Sequence, residues 1–187
     1  MEYEEYSPHW QRQVRDLADR VLGTGYFGRS SEIAREPDTH LLVCVDENQL
    51  LGFTHGRLLP QMGLRNFLEH RVDFISEDFD TADAAGTFGV IQSLAVAPEH
   101  RGKGIGTGLI SRLHDLLVGH GADKLIATFK SGPSSSPIEG IMGRMDFEYW
   151  LRLQTIFRER CDQGKFICAD RTDTCNCEAV FYRKTIY

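Results

Sequence analysis

The sequence predicts a mixed α/β (α+β) fold built as a single domain over 1–187. Two apolar segments, 41–45 and 50–59, flank a short polar stretch and have the pattern of a β-hairpin. A further strand at 88–97 is followed by a glycine-rich turn and an amphipathic helix. The 187 residues are enough for one core without disulfides or metal, and no repeat, low-complexity tract or linker divides the chain.

The composition argues against several classes of function. A formal net charge of -6 disfavours a protein that binds nucleic-acid phosphates, which would carry a basic stripe. No apolar run approaches the roughly 20 residues that a membrane-spanning helix needs. The first residues are acidic and aromatic, unlike the basic and apolar start of a signal peptide. We therefore expect a cytoplasmic protein with mostly reduced cysteines that binds neither nucleic acid nor a membrane.

The N-terminal segment predicts helices before the hairpin. Ser7 and Pro8 suit the cap and first position of a helix, and apolar residues then recur at helical spacing until Gly23. A second, shorter helix is expected to start at Ser30 or Ser31. After the hairpin we expect a partly helical surface insertion at about 60–86, because this stretch is irregular and ends in an acidic run.

Strands and helices continue to alternate after the insertion. The strand at 88–97 stops at Pro98, which has no N–H to donate to a sheet. The helix that follows is expected to end near Gly119. Its apolar face consists of Ile105, Leu109, Ile110, Leu113, Leu116 and Leu117. The remaining expected elements are a strand at 124–129, a loop at 131–137, a short helix to about Met145 and a strand-rich tail with several cysteines from about 150.

The most informative segment is the glycine-rich turn Arg101-Gly102-Lys103-Gly104-Ile105-Gly106-Thr107. Glycines let backbone N–H groups approach a ligand with no Cβ in the way. The first turn of a helix adds unpaired donors and the positive end of its dipole. With Arg101 and Lys103 beside them, these donors suit a pyrophosphate. A plain strand-to-helix turn with convenient glycines is the alternative.

Two familiar phosphate-binding motifs do not fit this turn. The P-loop requires Ser or Thr directly after Gly-Lys, but Gly104 follows Lys103. The dinucleotide fingerprint requires a third glycine, and the three possible frames have Thr107, Leu109 and Ser111 at that position. The turn therefore belongs to neither of those folds.

The turn does resemble the Gln/Arg-x-x-Gly-x-Gly/Ala signature of the GNAT acetyltransferase superfamily, with Arg101, Gly104 and Gly106 at the fixed positions. The preceding Leu-Ala-Val-Ala-Pro-Glu at 94–99 is similar to that family's fourth strand and its exit. A weaker similarity reaches Met-Asp-Phe-Glu at 145–148, where the family often has Gly-Phe-Glu. Altogether the resemblance covers residues 1–60 and 87–150, and it leaves the insertion and the tail unexplained.

This resemblance implies a mixed, mostly antiparallel sheet that is flanked by helices and splayed between its fourth and fifth strands. Acetyl-CoA would be the co-substrate, with its pantetheine pairing to the backbone of Leu94 and Val96 like an added strand. A side chain at Gly104 or Gly106 would fill the space that its pyrophosphate needs. The implied cofactor-binding residues are Leu94, Ala95, Val96, Arg101, Gly102, Lys103, Gly104, Ile105, Gly106 and Thr107.

The resemblance also implies an N-acetyltransferase in which a primary amine attacks the thioester directly, in a ternary complex. Such a reaction uses a base, an oxyanion site and an acid. Backbone N–H groups near Leu94 could stabilise the oxyanion. In many family members a tyrosine that acts as the general acid lies five residues before the phenylalanine of Gly-Phe-Glu. This chain has Met142 at that position, and Asp146 replaces the glycine.

The catalytic residues are therefore left unassigned. Gln92 lies where a family base often sits, but its amide has no useful pKa. Other candidates for the base are His55, His70, Glu77 or an ordered water chain, although a lone histidine is more often a surface or core residue. Tyr149 and Tyr182 could replace the missing tyrosine, or could simply pack.

Four cysteines lie within the tail: Cys161, Cys168, Cys175 and Cys177. Four thiolates could surround a tetrahedral zinc ion. Their spacing is not the usual pair of Cys-x-x-Cys knuckles, so we expect no metal and interpret them as small apolar residues, with zinc as the alternative.

Two functions remain open at this point. The first is an N-acetyltransferase that acts on a small-molecule or peptide amine, and the second is a non-catalytic acyl-CoA-binding sensor or regulatory module, which Met142 favours. The acidic run of Glu77, Asp78, Asp80 and Asp83 suggests a positively charged acceptor, unless these carboxylates only solvate a loop. A homodimer is compatible with the sequence.

Overall fold

The computed structural model describes most of the chain. The described residues are 1–28, 33, 38–59, 87–131, 138–154, 161–164, 167–168 and 178–186. The predicted helix at Ser30 or Ser31, the insertion at 60–86 and most of the loop at 131–137 lie outside these ranges.

The elements alternate between strands and helices along the chain. The strands are β1 (Glu2–Glu5), β2 (Gly23–Thr24), β3 (Thr39–Asp46), β4 (Gln49–Leu59), β5 (Phe88–Val96), β6 (Lys124–Ser131), β7 (Glu148–Gln154), β8 (Ile167–Cys168) and β9 (Glu178–Thr185). The α-helices are α1 (Gln11–Val21), α2 (Ile105–Gly119) and α3 (Ile138–Arg144). Single turns of 3-10 helix, Pro8–Trp10 and Pro98–His100, precede α1 and the glycine-rich turn. None of the described helices is long and apolar enough to cross a membrane.

The main sheet has seven strands in the order β1-β3-β4-β5-β6-β9-β7. Neighbouring strands are antiparallel except β5 and β6, which run parallel. A second, two-stranded sheet pairs β2 with β8. The observed sheet is thus mixed and mostly antiparallel, as predicted.

Because β2 belongs to the second sheet, β5 and β6 are the fourth and fifth strands of the main sheet in chain order. The main sheet opens between these two strands, which confirms the predicted splay. Phe88–Ile91 pairs with Lys124–Ala127, and the pairing stops there. β5 nevertheless continues to Val96 along β4, and β6 continues to Ser131 along β9. Among the described residues, the facing edges of the two strands are therefore unpaired beyond Ile91.

Helices cover both faces of the sheet. On one face, the apolar side of α2 contributes Ile105, Leu109, Ile110, Leu113 and Leu117 to a core that also contains α3. On the other face, α1 buries Val14, Leu17 and Ala18 against β3 and β4. We call these the α2 face and the α1 face of the sheet. The separation of the two faces matters because a ligand in the splay is accessible to different residues on each.

The predicted elements agree with the structure apart from a few boundaries. The first helix was expected from Ser7, but its first turn is 3-10 and the α-helix begins at Gln11. The strand expected at 124–129 continues to Ser131, which had been placed in the loop. β8 lies in the tail that was expected to be strand-rich, whereas the sequence did not predict β1 and β2. β1 is four residues long with Tyr3 alone half-buried, so it lacks an apolar pattern that sequence could reveal.

Candidate functional site

The glycine-rich turn has the backbone that an N-terminal anion site requires. Gly102 and Gly104 have φ values of 76° and 80°, a left-handed region that favours glycine. Gly104 is the N-cap of α2, so the first unpaired N–H groups of the helix follow it directly. A Cβ built on Gly102 or Gly104 would meet no atom within 4 Å. The space in front of this turn is therefore open to a ligand.

A side chain at Gly106 would point in a different direction from the one expected. Its Cβ would lie 3.2 Å from Leu94 Cδ2 and 3.3 Å from Ile141 Cδ1. A side chain at Gly106 would thus enter the apolar packing between β5, α2 and α3. The expectation that it would fill the pyrophosphate space is wrong, because Gly106 allows close packing of the helix on the sheet.

Basic side chains surround the start of α2. Arg101 Nε donates to the carbonyl oxygen of Val96 over 3.2 Å, which links the turn to the end of β5. Lys103 Nζ lies 3.3 Å from His100 Nδ1. From α3, Arg144 donates to Thr107 Oγ1 over 3.4 Å. These contacts are exposed, so they contribute a positive field around the turn more than they contribute to stability.

The structure brings the ten predicted cofactor-binding residues to one end of the splay. Leu94, Ala95 and Val96 lie on the part of β5 that β6 leaves unpaired. The other seven form the turn and the first part of α2 directly after it: Arg101, Gly102, Lys103, Gly104, Ile105, Gly106 and Thr107. Ile105 is buried in the core, so its backbone alone can face a ligand.

A β-bulge lies where the splay begins. His55 of β4 pairs with Ser93, but Gly56 pairs with Ile91, so Gln92 is an extra residue in β5. Gln92 and Ser93 together oppose His55. Bulges redirect side chains and often occur next to active sites. Here the bulge places polar residues at the closed end of the splay.

His55 and Ser93 lie on the α1 face. The ring of Phe27, in the turn after α1, lies edge-on to the His55 ring with 5.9 Å between centroids, and also contacts Phe53. Burial, with a contribution from the Arg57 guanidinium, lowers the pKa of His55 to about 4. His55 is therefore a neutral imidazole at physiological pH.

Two polar atoms at the bulge are buried without partners in the part of the chain that the structure describes. Ser93 is 3% exposed, and its Oγ makes no hydrogen bond. The Oε1 atom of Gln92 is likewise buried and unpaired. Buried polar groups normally have a partner, since leaving one unpaired costs about 1–3 kcal/mol. Such groups are candidates for contact with a ligand.

The position expected for a tyrosine cannot supply a proton. Met142 is fully buried in the core under α3. Asp146 has a φ of 58°, the left-handed conformation that would explain a glycine at this position. Lys184 Nζ donates to the carbonyl oxygen of Met145 over 2.9 Å and so holds the end of α3. Asp146 thus has a backbone conformation that suits glycine, while Met142 lacks the phenol that a tyrosine would supply.

The other candidates are only partly placed. Tyr182 is 5% exposed in the core of the α2 face, and burial raises the pKa of its phenol. Tyr149 is exposed on β7, the edge strand of the sheet. His70 and Glu77 lie outside the described residues. The site of proton transfer therefore remains unassigned.

The tail cysteines are described only in part. Cys161 is buried, and Cys175 and Cys177 lie outside the described ranges. Within those ranges, no group of three or more His, Cys, Asp and Glu residues could hold a metal ion. The absence of zinc therefore stays a prediction.

The bulge and Phe27 were not singled out from the sequence. A weak signal was present, because Gln92-Ser93 interrupts an otherwise apolar strand. Phe27 lies in a turn whose position depends on how α1 packs, which the local sequence does not reveal.

The splayed mixed sheet, with a glycine-rich helix N-terminus at its open end, is the architecture that the resemblance to acyltransferases predicted. The chain belongs to the acetyltransferase (GNAT) family, whose sequence pattern matches residues 2–135, and is therefore an acyltransferase. No match was found among curated proteins.

Solved structures of acetyltransferases share the fold. NAA60 of Arabidopsis thaliana in complex with acetyl-CoA superposes with a TM-score of 0.69 and 16% identity, over 98% of this chain and 97% of that one. A ribosomal-protein-alanine N-acetyltransferase from Brucella melitensis has a TM-score of 0.61 and 15% identity over all of both chains. The Salmonella typhimurium protein yncA with its cofactor acetyl-CoA has a TM-score of 0.61 and 14% identity, over 100% and 94%. At these identities the likeness concerns the fold alone.

Proposed function

We propose that this protein transfers an acetyl group from acetyl-CoA to a primary amine, by direct attack of the amine within a ternary complex. The observation that carries the proposal is the unpaired edge of β5 beyond Ile91, which leads directly into the glycine-rich turn. A strand edge binds an extended amide chain, and a helix N-terminus binds a pyrophosphate. Acetyl-CoA has both groups in one molecule. Two neighbours of the same fold are complexes with acetyl-CoA.

The donor would lie along β5 with its pyrophosphate on the turn. The backbone of Leu94 and Val96 would pair with the amides of the pantetheine, in place of the missing β6 pairing. Backbone N–H groups from Arg101 to Thr107 would hold the pyrophosphate, with Lys103 and Arg144 adding positive charge. The pantetheine then runs back toward Gln92, so the acetyl group lies near the bulge.

The reaction needs no covalent enzyme intermediate. The amine lone pair attacks the thioester carbonyl, and the new C–N bond gives a tetrahedral oxyanion that a backbone N–H near Leu94 would stabilise. Collapse of this intermediate breaks the C–S bond and releases the CoA thiolate. The amine loses one proton and the thiolate gains one, which leaves an amide and free CoA thiol.

Departure of the thiolate is feasible without a tyrosine. A free thiol has a pKa of about 8.5, so a thiolate is a moderately stable leaving group near neutral pH and can take its proton from water. Met142 is buried in the core and donates nothing. The loss of a dedicated acid would therefore slow the reaction without changing its class.

Met142 also supports a second candidate, a protein that binds acyl-CoA as a sensor and does not turn it over. A thioester-cleavage assay with a panel of amines separates the two functions. The enzyme should release CoA thiol in an amine-dependent manner, and a sensor should bind acetyl-CoA without release. Calorimetry with acetyl-CoA, NAD and ATP tests the binding itself. The turn matches neither the P-loop nor the dinucleotide fingerprint, so we expect no affinity for NAD or ATP.

A further inference from the structure

We propose that His55, Gln92 and Ser93 form the acceptor subsite, and that this subsite selects the α-amino group of a peptide or protein over a lysine side chain or a polyamine. The proposal rests on the acetyltransferase function above and adds the residues and the substrate class. It names a different acceptor from the cationic amine that the acidic run suggests, and the residues of that run lie outside the described ranges.

The bulge places the three side chains where an acceptor would reach the thioester. The donor anchors at the turn after Val96, so its acetyl end points back toward the first unpaired residue of β5, which is Gln92. On the α2 face, the side chain of Leu94 packs close to Gly106 of α2, so protein fills that side of the strand. An amine therefore arrives from the α1 face, where His55 opposes Gln92 and Ser93.

The subsite offers unused hydrogen-bond acceptors. Ser93 is 97% buried with an unpaired Oγ, and Gln92 Oε1 is unpaired beside it within the described chain. A primary amine has N–H groups to donate to both oxygens and a lone pair left for the thioester. The ligand would thus satisfy two groups that the fold alone leaves unpaired.

The subsite is also uncharged, which decides the kind of amine. Its three members are an amide, a hydroxyl and a neutral imidazole. The groups packed around His55 are Leu41 of β3, Ser93 of β5 and Phe27, and the charged side chain acting on it is Arg57. A cation beside the site and the lack of a described carboxylate disfavour a bound ammonium ion.

The amine must therefore lose its proton before or as it binds, and His55 gives little help because its pKa is about 4. An α-amine has a pKa of about 7.8, so about a third of it is uncharged at about pH 7.5. A lysine amine has a pKa of about 10.4, so only about 0.1% of it is uncharged at that pH. The greater nucleophilicity of lysine offsets part of this ratio. We expect a preference of at least about tenfold in kcat/KM for the α-amine.

Phe27 gives the subsite one apolar wall. Its ring lies against both His55 and Phe53 on the α1 face, at centroid distances of 5.9 Å and 5.6 Å. The methylene or side chain next to an α-amine could pack there, which would help to orient the nitrogen.

The test compares two peptides of one sequence that contain a single lysine. One has a free α-amine and an acetylated lysine, and the other has an acetylated N-terminus and a free lysine. At about pH 7.5 the peptide with the free α-amine should have a kcat/KM at least about tenfold higher than the peptide with the free lysine. As pH is raised, kcat/KM for the α-amine peptide should increase and reach a plateau near the pKa of the α-amine. Preference for the lysine peptide, or for spermidine as a third acceptor, would overturn the assignment while leaving the acetyltransferase function intact. Binding of acetyl-CoA with no transfer to any amine would instead refute the proposed function.

Two variants test the named residues. Ser93→Ala and Gln92→Leu should each raise the acceptor KM about fivefold, the value of one neutral hydrogen bond, with the Kd of acetyl-CoA unchanged. Ser111→Ala on α2 is the matched serine control and should change neither. Because Ser93 Oγ is buried and unpaired, Ser93→Ala should keep or raise the melting temperature, which a purely structural serine would not do. An unchanged acceptor KM in both variants would overturn the subsite.

Discussion

Substitution of Gly104 by alanine should weaken acetyl-CoA binding through the backbone of the turn. Gly104 caps α2 with a φ of 80°, and a Cβ there would project into open space. In the free protein the variant incurs the left-handed penalty, about 1–2 kcal/mol, or relaxes to another backbone conformation. With donor bound, the methyl group or the relaxed backbone would displace the pyrophosphate. We expect affinity to fall tenfold or more, about 1.4 kcal/mol.

Gly121 provides a matched control at the other end of α2. Its φ is 96°, and a Cβ there also meets no atom within 4 Å. Gly121→Ala should therefore cost a similar amount of stability, a fall of about 2–4 °C in Tm per kcal/mol for a chain of this size. Its affinity for acetyl-CoA should stay unchanged, because the far end of the helix is distant from the turn.

The assay is calorimetry with two donors. S-acetyl-pantetheine lacks the pyrophosphate, so Gly104→Ala should bind it as wild type does while binding acetyl-CoA more weakly. Equal losses for both donors would mean that the variant disturbs the splay as a whole. Equal acetyl-CoA affinity in Gly104→Ala, Gly121→Ala and wild type would refute the assignment of the pyrophosphate to this turn.

Three further predictions concern stability, pH and metal. Glu47→Gly should raise the free energy of unfolding by about 0.5–1 kcal/mol in urea titrations, because Glu47 has a φ of 52° in the two-residue β3–β4 turn. The free energy of unfolding should fall as pH drops from about 6.5 to 4, because burial lowers the pKa of His55 in the folded state. The His55→Asn variant should show a flatter dependence of stability on pH in this range. Parallel pH profiles for the variant and the wild type would contradict this explanation. Protein purified without chelator should contain less than one equivalent of zinc per chain. One full equivalent, together with a Tm that falls when chelator is added, would contradict this and assign a zinc ion to the tail. The residues concerned are Cys161, Cys168, Cys175 and Cys177.

Local sequence was enough to predict the centre of the fold. The strand ending at Pro98, the glycine-rich turn and the helix from Ile105 each have strong short-range signals, and the structure reproduces all three. The hairpin was equally clear, because two apolar runs flank a polar turn. These elements determine where the donor would bind.

The acceptor side depends on long-range pairing that local patterns do not contain. The bulge at Gln92 exists because β4 and β5 pair out of step by one residue, which neither strand shows by itself. The lowered pKa of His55 arises from burial and from Arg57 on the folded sheet. For Gly106, the resemblance suggested that a side chain would enter the pyrophosphate space, whereas a Cβ there would meet Leu94 and Ile141.

The most direct test of the central claim is to incubate the protein with acetyl-CoA and a peptide that has a free α-amine, and to measure free CoA thiol and acetylated peptide in the same sample. The account predicts that the two products appear in equal amounts, with the acetyl group on the α-nitrogen by mass spectrometry. Bound acetyl-CoA with no acetylated amine, for this peptide or any other amine in the panel, would contradict it.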